Sequence, residues 1–524
     1  MGTQQRERRR RRRRHRHKVQ ARDESLTSTH KAKKCNPLRV KRSRHSGPNL
    51  PEDIWCHIHS LLSMRDSARI ASVSHTFLRS WRHHPNLIFT KETLGLKRIA
   101  CEEGDISRAF TSEVDQILKK HSGTGVKTLE LDIFGCRYLN SYHLNAWLQI
   151  AVTPGIESLT LELPLKYEEG YSFPCSLLFG ANGNSIQHLH LTHCAFRPTV
   201  GIGCLRSLTK LYLNKVHITG EELGYLLSNS LALEQFELSY CSEIICLEIP
   251  CLERLSCLTV SHTARLQMIE SKAPNLSAFV FDGDLLQLSL GQSSQVKNLN
   301  MDCTNESNFL SYAITNLPYI VPEVETMYLS SIGEMVNTPM AAAKFLHLKY
   351  LEVYLDADLS IGYDYLSLVS FLDASPVLET FLFGVDQSDM IFDSVFADAS
   401  HMRQMPECKH DRLKNVTILG FFSAKSMIEL TCHILENSTS LECITLDMVL
   451  DKDDKDHFGR CSVNPTLKIG QCPNLTDEMI LEAHDALMAI EIYIMGKVPS
   501  AVKLDIRGLC CHCHKFHESL GFAA

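Results

Sequence analysis

The sequence predicts an α/β protein built mainly as a horseshoe-like solenoid of parallel strands, with a short helical segment ahead of it and a basic, disordered head. Three observations carry that expectation. An apolar triad recurs in one register through residues 126–450. A helical stripe of apolar side chains runs through 49–95. The first 48 residues hold 18 Lys/Arg against 3 Asp/Glu, a balance of +15, so that the remaining 476 residues carry −21 within a formal net charge of −6.

The repeat is the strongest of the three. A unit with apolar residues at positions 1, 4 and 6 begins at Val126, Ile156, Ile186, Leu208, Leu233, Leu255, Leu276, Val296, Val324, Leu348, Leu378, Leu413 and Leu441. The twelve intervals run from 20 to 35 residues, room for one strand and a variable return. Any apolar strand matches such a unit occasionally, whereas thirteen in series define a leucine-rich-repeat array over 126–464. Cys194 and Cys241 fall at the ninth position, where the motif places Asn or Cys to satisfy backbone groups at the strand exit. Stacked units bury one another's apolar faces and curve the array. Intervals of 28–35 residues around the eighth and the last four units leave room for helices or longer loops on the convex side, and 386–412 is expected to protrude.

The same register names the outward side chains. Positions 5 and 7 of the thirteen units supply 26 residues, of which eight are acidic and none is Lys or Arg. A concave target-binding face is therefore expected from Glu130, Asp132, Glu162, His190, Tyr212, Glu237, Asp282, Asp302, Tyr328, Glu352, Tyr354 and Asp447. Such a surface attracts a basic target protein, or the basic head of the chain itself. General acidity of the body, with no specific partner, is the plain alternative.

Ahead of the array, Ile54, Ile58, Leu61 and Leu62 stand at i, i+4, i+7 and i+8 after Leu50-Pro51, which predicts one amphipathic helix. Asp66 is expected to cap a second, continuing through Ile70, Val73, Phe77 and Trp81 until Pro85 stops it. A segment this short buries too little surface to stand alone and needs a partner or the next domain to pack on. The run Leu50-Pro51-Glu52-Asp53-Ile54, with Ile58, Leu61-Leu62, Arg65-Asp66, Ala68-Arg69, Val73-Ser74 and Trp81, closely resembles an F-box, and FLRSWRHHPNLIF resembles the plant, particularly grass, F-box/leucine-rich-repeat group. The resemblance implies a substrate-recognition adaptor for an SCF-type ubiquitin ligase, docking a Skp-type adaptor and through it a cullin. It implies that Leu50, Pro51, Ile54, Ile58, Leu61, Leu62, Ile70, Val73 and Trp81 lie on or support that interface. His57 and His59 depart from the pattern and are read as helix-surface imidazoles, and Phe77-Leu78 replaces the commoner Arg-Trp pair.

The head, RERRRRRRRHRHK from Arg6 to Lys18 followed by Lys33, Lys34, Lys41, Arg42 and Arg44, has the composition of a disordered segment. It fits a nuclear-import signal or an inert solvated tail. Nucleic-acid binding is not expected, because no aromatic side chains interleave the basic run. Residues 96–125 form a linker or N-terminal cap, and 465–524 a C-terminal cap and tail whose helix begins at Thr476 or Asp477 and turns Met479, Ala483, Ala486, Leu487, Ile490 and Ile494 to one face.

The run Cys510-Cys511-His512-Cys513-His514, with His517, lacks zinc-finger spacing, so no metal is expected. No cofactor is expected either. Phosphate loops, HExxH helices and nucleophile elbows are missing at the spacing their chemistry requires, so catalysis is assigned to partner enzymes. With no secretory signal and no membrane-length apolar run, a soluble protein of the nucleus and cytoplasm is expected, with most of its 20 cysteines as buried thiols. The competing reading is a non-catalytic leucine-rich-repeat nuclear scaffold without ligase docking.

Overall fold

The computed structural model describes residues 51–96 and 103–509, leaving aside 135, 137–138, 165–169, 179–183, 199–204, 292–294, 357–361, 387–391, 398–401, 404, 407 and 451–474. Each of the thirteen units supplies one strand, starting two residues into the unit: β2 (Thr128–Asp132), β3 (Ser158–Glu162), β4 (His188–Thr192), β5 (Lys210–Asn214), β6 (Gln235–Ser239), β8 (Cys257–Ser261), β10 (Ala278–Asp282), β12 (Asn298–Ser307), β13 (Thr326–Gly333), β14 (Tyr350–Asp356), β15 (Thr380–Asp386), β16 (Asn415–Leu419) and β17 (Cys443–Asp447). All lie in one parallel sheet in chain order. The pairing is in register, so that Leu129, Leu159, Leu189, Leu211 and Phe236 form one buried row and Leu131, Leu161, Leu191, Leu213 and Leu238 the next.

The sheet holds 15 strands, two more than the units read from sequence. β1 (Asn86–Phe89) pairs with β2, and β18 (Lys503–Arg507) pairs with β17. Position 1 of the first extra unit is His84, buried where the pattern asks for an aliphatic residue. The C-terminal helix α10 (Asp477–Ala489), capped by Thr476 accepting the Met479 N–H at 3.2 Å, therefore precedes a last strand and does not end the array.

Interval length decides what returns the chain. Between β6, β8, β10 and β12 the intervals of 20 to 22 residues are too short for a helix, and the returns form three short strands, β7 (Cys246–Ile249), β9 (Met268–Ser271) and β11 (Gln287–Ser289), paired parallel in a second sheet. Longer intervals hold helices: α5 (Ser141–Ala151), α6 (Gly220–Ser228), α7 (Phe309–Ile320), α8 (Val369–Ala374) and α9 (Lys425–Asn437). Thr219 and Glu222 close a capping box at the start of α6.

The described part of 386–412 does not protrude. Val395 is buried, Phe392, Met402 and Met405 pack on the core, and Arg403 binds Asp364 through two guanidinium nitrogens at 2.7 and 2.9 Å. Arg403 also donates its backbone N–H and its Nε to the buried Glu429 at 2.7 and 2.9 Å. A charge-assisted fork holds the segment down.

The N-terminal segment is three helices, not two: α1 (Glu52–Ser60), α2 (Met64–Ala71) and α3 (His75–Trp81). The cap of α2 is Ser63, which accepts the Asp66 N–H at 3.1 Å, so Asp66 sits inside the first turn. Trp55 and His59 of α1 meet Phe77 of α3 at ring-centroid distances of 4.8 and 5.7 Å. His59 is thus buried, not on the helix surface, and only His57 is exposed. α4 (Glu103–Lys120) follows, buries Phe110, Val114 and Leu118, and is tied to α5 by Trp147 Nε1 donating to Asp115 at 2.6 Å. Where α4 ends, His121 Nδ1 accepts the Gly123 N–H at 3.0 Å, so Nε2 carries the proton it donates to the His84 carbonyl at 2.9 Å.

Two expected outcomes follow from this packing. Gly384 of β15 lies opposite Tyr354 of β14, and a Cβ there would enter the tyrosine ring. Gly384→Ala should destabilise by about 1–3 kcal/mol in chemical denaturation, with most of that cost absent in a Tyr354→Ala background. Additive single effects would contradict the clash. The second concerns His59, His84, His121, His410 and His433, whose imidazoles burial holds below their ordinary range. The unfolded chain takes up protons near pH ~6.5 that these folded rings resist. Their contribution is therefore full above pH ~6.5 and declines as the pH falls below it. His59 has no side-chain hydrogen bond among the described residues. His59→Phe should keep full stability at pH 7.5 and lose less than wild type at pH 5.5; an unchanged pH dependence would place the sensitivity elsewhere.

Candidate functional site

Two surfaces emerge, one on the helices and one on the inner face of the arc. On the helices the expected docking residues separate by exposure. Ile54, Leu61 and Val73 are 40%, 74% and 77% exposed. Pro51 is exposed as well, while Ile58, Leu62 and Ile70 are half-buried. Trp81 is buried and can only support the surface from beneath. Leu50 lies outside the described residues. Beside α2 and α3 a groove of about 850 Å³ opens toward α4, with Met64, Ala68, Leu78, Trp81, Leu94 and Ile117 among its apolar walls.

On the inner face, register turns the outward positions into two rows that cross the strands. One runs Glu130, Thr160, His190, Tyr212, Glu237 and Thr259 from β2 to β8. It continues through Val280, Asn300, Tyr328, Glu352 and Leu382. The other begins Asp132, Glu162 and Thr192 and later passes Asp282, Asp302, Ser330, Tyr354 and Gly384.

Crowding shows in the electrostatics. Burial, then the charges of Glu162 and Asp132, raise the Glu130 carboxyl. Burial and the Asp302 charge push the Tyr328 hydroxyl up to about 12, and burial followed by Glu237 raises Tyr212. The His190 ring lies tilted against Tyr212 at a centroid distance of 5.7 Å, with its Nδ1 3.9 Å from Glu162. Glu130, Asp132, Glu162, His190, Tyr212, Glu237, Asp282, Asp302, Tyr328 and Glu352 all keep partial solvent exposure.

Two of the expected face residues do not. Tyr354 is buried because its ring lies over Gly384, 5.5 Å from the ring of Tyr328. Asp447 is buried beside β18, where its Oδ2 lies 3.9 Å from Arg507 and its Oδ1 accepts the Val449 N–H at 3.1 Å. The face is also not free of cations once β18 is added, since Arg507 continues the row of Asp447 and pairs with Asp505 at 3.0 Å. Cys194 and Cys241 are buried at the strand exits, and Cys241 Sγ lies 3.4 Å from the Ser239 carbonyl.

A third row escapes any reading of apolar periodicity. Directly after the strands, at position 8, His193, Lys215, Tyr240 and His262 take left-handed φ values of 56°, 50°, 55° and 48°, and Gly283 follows at 156°. Each N–H continues the ladder by donating to the next strand's last carbonyl, as from Tyr240 to Ser261 at 2.9 Å. The side chains form a rim. Lys215 Nζ stands 5.1 Å from the Tyr240 ring centroid, Tyr240 packs on His262 at 4.6 Å, and His262 Nε2 reaches Asp282 at 3.2 Å. The sequence signal is a glycine at this position in two units, Gly283 and Gly420, the latter with φ 64°.

Among the described residues no group of three or more His, Cys, Asp or Glu is placed to hold a metal ion. The Cys510–His517 run lies outside them. No helix of the described residues is long and apolar enough to cross a membrane.

Comparison with known proteins agrees with this architecture. Residues 117–511, well over half of the chain, match the family described as At1g61320/AtMIF1, LRR domain. The F-box/FBD/LRR-repeat protein At3g26920 of Arabidopsis thaliana is 23% identical over 444 residues, 81% of this chain and 94% of the relative. The F-box/FBD/LRR-repeat protein At1g13570 of the same plant is 24% identical over 428 residues, 78% and 92% of the two chains. A shorter match, 22% over 290 residues, joins it to the F-box/LRR-repeat protein At5g02910, covering 53% of this chain and 58% of that one. With its repeats matched along most of their length and two of these relatives aligned over more than nine-tenths of theirs, the chain belongs to this leucine-rich-repeat family, within the plant F-box/LRR proteins.

Proposed function

We propose that the chain is the substrate-recognition adaptor of an SCF-type ubiquitin ligase, with α1–α3 docking a Skp-type adaptor, which joins it to a cullin, and the arc holding a target protein for ubiquitination. The observation that carries the reading is the contrast between the two surfaces. Leu61 and Val73 are 74% and 77% exposed, with Ile54 at 40%, on a segment otherwise packed by Trp55, His59 and Phe77, and several open apolar side chains on one short helical unit support a partner surface. The arc offers polar and aromatic side chains on a rigid sheet, a surface for selecting a protein. Its chemical contribution is proximity: it holds the target near ubiquitin activated elsewhere. The Arg6–Lys18 run supports residence in the nucleus as well as the cytoplasm.

Capture of a purified Skp-type adaptor by the full chain tests the docking half. Leu61→Asp/Val73→Asp should weaken capture at least tenfold, or about 1.4 kcal/mol, while leaving the melting temperature unchanged, because both residues lie outside the core. Leu50→Ala/Pro51→Ala should weaken it too. An intact chain that captures no adaptor would overturn the reading in favour of a repeat scaffold without ligase docking.

A further inference from the structure

The rim at position 8 and the carboxylates beside it supply a more specific recognition chemistry than an acidic face alone. Lys215, Tyr240 and His262 adopt left-handed backbone that non-glycine residues seldom take, and the bulky side chains bunch at the end of the strands. Tyr240 is 45% exposed. Its ring already attracts a cation, the Lys215 ammonium at 5.1 Å, and the next ring in the row, His262, stands against the carboxylate of Asp282. Asp282 is paired in register with Asp302, and Glu237 precedes Tyr240 by three residues on the outward side of β6. Positions 5 and 7 of β2–β17 contribute no Lys or Arg to neutralise these acids.

We infer that this stretch of the arc, from β6 to β13, binds an extended, arginine-bearing segment of the target, with guanidinium groups laid on the Tyr240 ring and bonded to Asp282, Asp302 and Glu237. Arginine fits better than lysine because a planar, weakly hydrated guanidinium stacks on a ring and forks to a carboxylate at once, which an ammonium cannot do. Asp282 and Asp302 stand on neighbouring strands ~4.8 Å apart, within reach of the long arginine side chains of one extended segment. The C-terminal third of the face does not offer this chemistry. There the row carries Tyr354 over Gly384, Leu419, a buried Asp447 and finally Arg507. Lys215 acts as an internal competitor that an arriving guanidinium displaces.

The inference rests on the arc as a target-binding face, and its test needs no ligase subunit. Failure of the peptide assay leaves adaptor docking untouched, and failure of docking leaves the peptide result standing. Fluorescence anisotropy of the full-length chain with labelled Arg–Gly, Lys–Gly and Glu–Gly repeat peptides is the measurement. Arg–Gly should bind several-fold more tightly than Lys–Gly, and Glu–Gly should not bind. Asp282→Asn/Asp302→Asn should weaken Arg–Gly binding about tenfold. Tyr240→Gly, which suits the left-handed backbone, should erase the preference for arginine, and Lys215→Gln should tighten binding. Equal affinity for the two basic peptides, no response to Tyr240→Gly, no tightening with Lys215→Gln, or no binding at all would overturn the proposal. Because Lys215→Gln reads a gain on a side chain only partly buried, its result stands even if the paired carboxylate variant folds poorly.

Discussion

The in-register stacking of parallel strands is the constraint on which the rest of the molecule depends. A single unit has two or three aliphatic side chains on one face and cannot bury them alone; neighbours at both edges complete the core. The rows through Leu129 and Leu131 are almost wholly buried for that reason, and truncating any one of these leucines to alanine would cost about 2–5 kcal/mol in a core of this density. Register also propagates. Because side chains alternate, holding the apolar rows inward for thirteen units holds the polar rows outward for the same distance, and a slip of one residue would exchange them. The polar inner face is thus a by-product of core packing, and its rigidity comes from the same ladder.

Array ends are where this constraint weakens. At the N-terminal end β1 is completed by His84, whose carbonyl accepts a hydrogen bond from His121 beyond α4, so that neutral imidazoles do the work aliphatic residues do in the interior. The short helices then rest on the arc, which supplies the packing surface that so small a segment lacks by itself. At the other end β18 leaves Ile506 36% exposed, and its Arg507 turns back to Asp505 and Asp447. Charge here closes a row that apolar packing does not.

How much of this was legible in the sequence follows from the same physics. All thirteen interior strands were, because positions 1, 4 and 6 must be apolar where a unit has neighbours on both sides. β1 was not, since His84 stands at position 1, and β18 was not, since its first position is the exposed Ala501. The convex strands β7, β9 and β11 are three or four residues long, too short to show a period. Of the expected face residues, the pattern correctly turned Tyr354 and Asp447 outward but could not show what covers them. Tyr354 depends on a glycine in the next strand, and Asp447 on a strand about 60 residues later in the chain. On the helices, Trp81 lies beneath the surface, in the supporting place, and His59 was misplaced for a related reason. Helical periodicity ranks residues by polarity, and an imidazole caged by Trp55 and Phe77 looks polar until its neighbours are known.

The rim at position 8 carries this reasoning furthest. Its side chains are neither core nor regular strand, so neither the apolar triad nor strand alternation constrains them, and Lys, Tyr and His follow one another at equivalent places. From β4 to β8 the N–H at position 8 donates to the neighbouring carbonyl while the chain turns away, with left-handed φ in four successive non-glycine residues; Ile133 and Leu163 make the same donation without it and turn their side chains into the core. Glycine would relieve that strain, and Gly283 does so in the fifth place. Along β5 to β8 that backbone carries side chains the ladder does not need, which leaves composition at the rim free to vary while the scaffold stays constant. That separation lets one array be stiff throughout and varied at one edge.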